Sequence, residues 1–210
     1  MSVEKYKGRI LAVIVGFVIF SFCITTHASF LDAPSSTSGP ANNNPSKSLE
    51  EYCQTAPCRK NHSFRLKQKD GTYFEHSSEL DPPVVQPAFI LIFPGEQLFI
   101  EASEGKKAPQ GFKHVPENTH PERTLVFKFT QAEDEKLSPG MFLNVHNPFA
   151  RDLRYRLAIT PLGKEGLFKT SSCPVLAGKQ AIEHWPYPIF QAAVADMHFL
   201  KQGDDMSCRE

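Results

Sequence analysis

In Leu153-Arg154-Tyr155-Arg156-Leu157-Ala158-Ile159, every second side chain is apolar. Leu153, Tyr155, Leu157 and Ile159 share one face, while Arg154 and Arg156 share the other. A period of two belongs to a strand with one buried and one solvated face. Working outward, Leu125, Phe127 and Phe129 alternate in residues 124–130, and residues 141–145 follow before an Asn147-Pro148 turn. Leu98 and Ile100 share a face in residues 97–101, although Phe99 makes the opposite face partly apolar. Residues 88–93 (AFILIF) are too apolar for a half-exposed strand, and Pro94-Gly95 ends them. Nearer the N-terminus, Phe64 and Leu66 alternate before Asp70-Gly71, and residues 72–75 follow, which predicts a hairpin with a two-residue turn.

Short alternating runs punctuated by 17 Pro and 12 Gly predict an all-β domain, an antiparallel β-sandwich. The strands on either side of Asn147 look like those of immunoglobulin-like exported domains in general architecture, with no family motif behind the likeness. Two regions fit less well. Residues 105–123 are polar and Pro-rich, match no phosphate- or metal-binding loop, and read as a long loop. Residues 189–200 fit both periods: Ile189, Ala193 and Met197 form a helical stripe after Pro188, whereas Ala193, Ala195, Met197 and Phe199 alternate as a strand. The β character of the preceding chain favours a closing strand over residues 194–200.

The chain opens differently. Lys5, Lys7 and Arg9 precede an uncharged apolar run at residues 10–24, and Thr26-His27-Ala28 follows. This is the pattern of an export signal, cut between Ala28 and Ser29, or of an anchor retained in the membrane over residues 10–26. The basic residues keep the first end in the cytoplasm, so either form predicts a periplasmic or extracellular remainder. Residues 29–51 are rich in Ser, Pro and Asn and read as a disordered linker. The folded domain is then expected at residues 52–210, enough chain for one core.

The whole chain carries 23 basic and 23 acidic side chains; residues 1–28 hold three and one of these, leaving 20 and 22. That balance lacks the basic excess nucleic-acid binding requires. Outside the leader, Cys53, Cys58, Cys173 and Cys208 predict two disulfides in an exported protein, with Cys53–Cys58 and Cys173–Cys208 the favoured pairing. A four-thiolate zinc site or a redox pair is the functional alternative, but C-x4-C only just meets zinc spacing and misses the C-x-x-C of thioredoxin-type chemistry.

No cofactor is expected. The seven histidines beyond His27 form no H-E-x-x-H or H-x-H motif. Cys173, His146, His184, Met197 and His198 hold the ingredients of a blue-copper site without its tight spacing. Glu183-His184 with Ser171 or Ser172 can be drawn as a hydrolase triad, an arrangement only spatial geometry could support. No nucleophile elbow, P-loop or dinucleotide fingerprint occurs, and Glu133-Asp134-Glu135 read as a solvated turn. Trp185-Pro186-Tyr187-Pro188 is the most unusual local feature. Trp185 and Tyr187 offer rigid contact area on a chain stiffened by proline, although a domain's single Trp also commonly fills its core. The expectation is a non-enzymatic exported domain that binds or supports an envelope protein or glycan. The alternatives are a copper- or zinc-binding periplasmic protein, or a hydrolase.

Overall fold

The computed structural model describes residues 48–132 and 140–209. The expected leader, its cut site or anchor, most of the linker, and the charged turn at residues 133–135 lie outside the described residues. Within them the chain is nearly all β, and every strand pair is antiparallel.

The described chain starts with one helical turn, α1 (Leu49–Cys53), across the expected boundary between linker and domain. Ser48 explains it: its Oγ accepts the Glu51 N–H at 3.2 Å, and Glu50 and Glu51 place negative charge in the first turn. The Cys53–Cys58 disulfide then closes the link to β1 (Arg59–Lys67). β1 pairs with β2 (Tyr73–Asp81) in a two-stranded hairpin. Its loop is longer than expected. The Gln68 N–H donates to the Thr72 carbonyl, leaving Lys69, Asp70 and Gly71 between them, with Gly71 left-handed at φ +86°. Asp70 braces the turn by accepting from both the N–H and the hydroxyl of Thr72.

A four-stranded sheet has the order β3 (Phe89–Ile92), β11 (Ile189–Phe199), β8 (Leu153–Pro161) and β9 (Phe168–Thr170). A five-stranded sheet has the order β10 (Gln180–Trp185), β7 (Met141–His146), β6 (Thr124–Gln131), β4 (Gln97–Glu104) and β5 (Pro109–Val115). Both sheets feed one sandwich-like core. Phe127, Phe129, Met141 and Leu143 come from the larger, and Leu153, Tyr155, Leu157 and Val194 from the smaller. The alternation in β8 is as read, with Leu153, Tyr155, Leu157 and Ile159 buried. β7 and β8 do not pair across Asn147, however; the chain passes there from one sheet to the other. Asn147 is fully buried at that crossing. Its side-chain NH2 lies within hydrogen-bond reach of the carbonyls of Arg151, Val175 and Leu176, and its Oδ1 accepts the Phe149 N–H. Four contacts on one side chain fix a loop that a polar turn residue alone would leave loose.

Three differences from the sequence expectation have physical causes. Part of the supposed long loop is β5, an edge strand that starts at a proline, where no ladder N–H is needed. Mostly exposed, it shows no alternation. β10 carries no readable alternation because it turns Glu183 and Trp185 inward and Ile182 outward. The C-terminal stretch is one strand, longer than expected. Its register against β8 shifts twice, once between Ile189 and Gln191 and again between Ala195 and His198, near a left-handed Asp196 (φ 49°). Each bulge moves the buried face by one position, so Ile189 and Ala192 both face the core and imitate helical spacing.

Candidate functional site

The hairpin carries the most concentrated chemistry outside the core. Its register sets His62 opposite Ser78 and His76 opposite Phe64, which makes the two histidines diagonal neighbours on one face. Asn61, between Arg59 and His62, is left-handed at φ 50°. Strict alternation would turn Arg59 and His62 to opposite faces, yet both side chains are buried or nearly so. At the hairpin's open end Asp81, opposite Arg59, is buried as well. His62 Nδ1 lies 2.9 Å from Asp81 Oδ2, and His76 Nε2 lies 3.1 Å from the same oxygen. Burial opposes the Asp81 charge, but the hydrogen bonds from His76 and His62, with their positive potential, outweigh it and hold the carboxyl below its ordinary value.

Around this trio is a second layer. Glu96 Oε1 faces the other ring nitrogen of His62 at 3.9 Å. Glu96 is itself fixed, accepting both Arg59 Nε (2.6 Å) and a second guanidinium nitrogen (2.9 Å), and also the Phe93 N–H at 2.7 Å. Arg59 further donates to the carbonyls of Pro82 and Leu91 and stacks over Phe93, so one side chain ties the hairpin to the segment that crosses between the sheets. Phe64, Phe93 and Phe190 close on the imidazoles, with ring centroids 4.9–6.1 Å from His62 or His76. A cleft of about 480 Å³, lined by His62, Phe64, Pro94 and Glu96 among others, opens beside the cluster. The hairpin is latched at its other end by Gln131, whose amide pairs with both backbone groups of Lys67 at 2.7 and 2.8 Å.

The residues singled out from sequence are scattered by comparison. Cys53 is bonded to Cys58 and Cys173 to Cys208, so none of the four sulfurs is a free thiolate ligand. The disulfides fit an oxidising, non-cytoplasmic compartment. No helix among the described residues is long and apolar enough to cross a membrane. With its sulfur in the bond to Cys208, Cys173 cannot serve a blue-copper site. Trp185 is 5% exposed, packs edge-on against Phe129, and donates its indole N–H to Thr170 Oγ1 at 3.2 Å. It fills the core and is not a contact surface. Tyr187 is 41% exposed and borders a groove of about 540 Å³ with Phe168, Lys164 and Lys169.

The drawn hydrolase triad is not assembled. Glu183 and His184 are consecutive in β10 and face opposite ways, Glu183 buried and His184 exposed against Phe142. The Ser172 hydroxyl donates to the Tyr155 carbonyl at 2.7 Å. Glu183 instead accepts the Tyr155 hydroxyl and the Cys173 N–H, each at 2.9 Å. Burial, and then the neighbouring Glu183 charge, push the Tyr155 hydroxyl far above its ordinary pKa, which keeps it a donor. Tyr155→Phe should therefore leave a buried carboxylate short of one donor and cost about 1–3 kcal/mol in urea melts. A change near zero would show that Glu183 finds water or another partner.

Comparison with protein-family models, curated proteins and solved structures returns no match.

Proposed function

We propose that this chain is an exported β-sandwich protein, immunoglobulin-like in general architecture, with a non-catalytic role of binding another component of the cell envelope. The observation that carries the reading is the groove beside the short edge strand β9. Phe168 and Tyr187 expose 47% and 41% of their surface there, between Lys164 and Lys169. Exposed large aromatic rings grouped along a groove are the composition of contact surfaces. Both disulfides support work outside the cytoplasm, and the Lys5-to-Ala28 leader supplies the route, either cleaved or kept as an anchor. The engagement of Ser172 with the Tyr155 carbonyl, and the opposite facing of Glu183 and His184 in β10, support a non-catalytic role over the drawn triad.

Crosslinking and recovery of the intact exported chain tests the reading. Wild type should give a discrete crosslinked species, and Phe168→Ala with Tyr187→Ala should lose most of it without loss of stability, since both rings lie outside the core. Ile182→Ala, which removes an exposed apolar side chain from β10, should leave it unchanged. Undiminished crosslinking in the double variant would exclude the groove as the contact.

A further inference from the structure

We propose that His62, His76 and Asp81 form a binding site for a divalent transition-metal ion of the zinc and copper(II) class. This stands apart from the groove and from the envelope reading. The three residues each present one ligand atom, and all three atoms lie within 4.8 Å of one another. Donors bound to one tetrahedral ion at about 2.0–2.2 Å sit roughly 3.4 Å apart. The separations of 2.9 Å and 3.1 Å from Asp81 Oδ2 to the two imidazoles need to open by a few tenths of an ångström, and the widest separation in the trio, within 4.8 Å, closes by rotation of the imidazoles towards the ion. Two neutral imidazoles and a carboxylate are borderline ligands that suit zinc and copper and leave further positions open. The ion takes the Asp81-facing nitrogen of each neutral ring, so the proton held there moves to the ring's other nitrogen, and Asp81 accepts the ion in place of the two N–H donors.

The surroundings match what such sites require. A carboxylate that accepts the non-ligating N–H of a histidine orients the ring and raises its basicity, and Glu96 lies on that side of His62, 3.9 Å from Nε2, where a small rotation of the ring brings it into hydrogen-bond reach. Glu96 is held by the Arg59 fork and the Phe93 N–H, so its position does not depend on the ion. The Phe64, Phe93 and Phe190 rings lower the local dielectric, and the adjoining cleft gives a route to His62 from solvent. The hairpin register, rather than a loop, fixes the two histidines, so little ordering remains to be done when the ion enters.

The test uses the full chain with both disulfides intact. Equilibrium dialysis against zinc chloride should give one ion per chain. His76→Ala should weaken binding by more than the ~10–100-fold expected for loss of an outer partner, whereas His184→Ala, on an exposed face of β10, should leave it unchanged. Copper(II) added to the wild type should show nitrogen hyperfine structure from two imidazoles in its paramagnetic resonance spectrum. That measurement decides the matter even if a variant fails to fold. No saturable zinc binding by the wild type, zinc binding that His76→Ala leaves unaltered, or a copper spectrum without two imidazole nitrogens would each overturn the site.

Discussion

Leu157→Ala is expected to cost about 2–5 kcal/mol in a urea melt, whereas Arg156→Ala, its neighbour in β8, should stay within about 0.5 kcal/mol. The two side chains differ in one respect, the face of the strand they occupy. Leu157 is 3% exposed and packs where the two sheets meet, and the cavity left by truncation adds to the lost transfer energy. The Arg156 side chain is 66% exposed and its partner, Asp196 at 3.5 Å, is equally open to solvent, so little is lost with it. A slip of one residue in the register of β8 against β11 would exchange the two faces. Equal effects of the two substitutions would therefore contradict the arrangement of the smaller sheet itself.

The second large effect is expected at Cys173 and Cys208. Replacing both with serine should remove roughly 4 kcal/mol, while the same change at Cys53 and Cys58 should remove roughly 2 kcal/mol. The ratio comes from loop length: the first bridge closes a sequence separation of 35 residues and the second only 5. The long bridge also acts in company. Ser172 and Arg209 exchange both backbone hydrogen bonds beside it, and Arg154 donates to the carbonyls of Asp205 and Ser207, so the C-terminal tail is tied to the segment after β9 and, through Arg154, to β8. Denaturant melts of the two double variants compare the bridges directly. A larger loss at Cys53–Cys58 would mean that the short bridge, with the α1 turn, anchors the hairpin more firmly than the long one anchors the tail.

How far the sequence reveals this molecule depends on where its side chains face. Strands that bury one face and wet the other, such as β6, β7 and β8, announce themselves through Phe127, Leu143 and Leu157. β5 buries almost nothing, β10 turns a glutamate inward, and β11 changes face at two bulges, so each breaks the alternation on which recognition depends. The hairpin shows the cost of a small error most clearly. A two-residue turn at Asp70-Gly71 pairs Lys69 with Thr72 and would place His62 and His76 on opposite faces. The three-residue loop, with Gly71 at its left-handed position, moves the register by one and brings them together. The cluster thus follows from turn chemistry, and no short motif could have announced it. The disulfides are more legible, because four cysteines allow only three pairings. Trp185 had two readings open to it, and the Thr170 hydroxyl that satisfies its indole inside the core is visible only in three dimensions.

The most direct test of the account is where the folded domain resides. A reporter active only outside the cytoplasm should be fused after Glu210 and its activity measured in cells. The account predicts an active reporter, carried across by the basic and apolar leader that precedes Ser29. A fusion that accumulates to high level yet stays silent would contradict export, and with it the setting in which the Cys53–Cys58 and Cys173–Cys208 bridges persist.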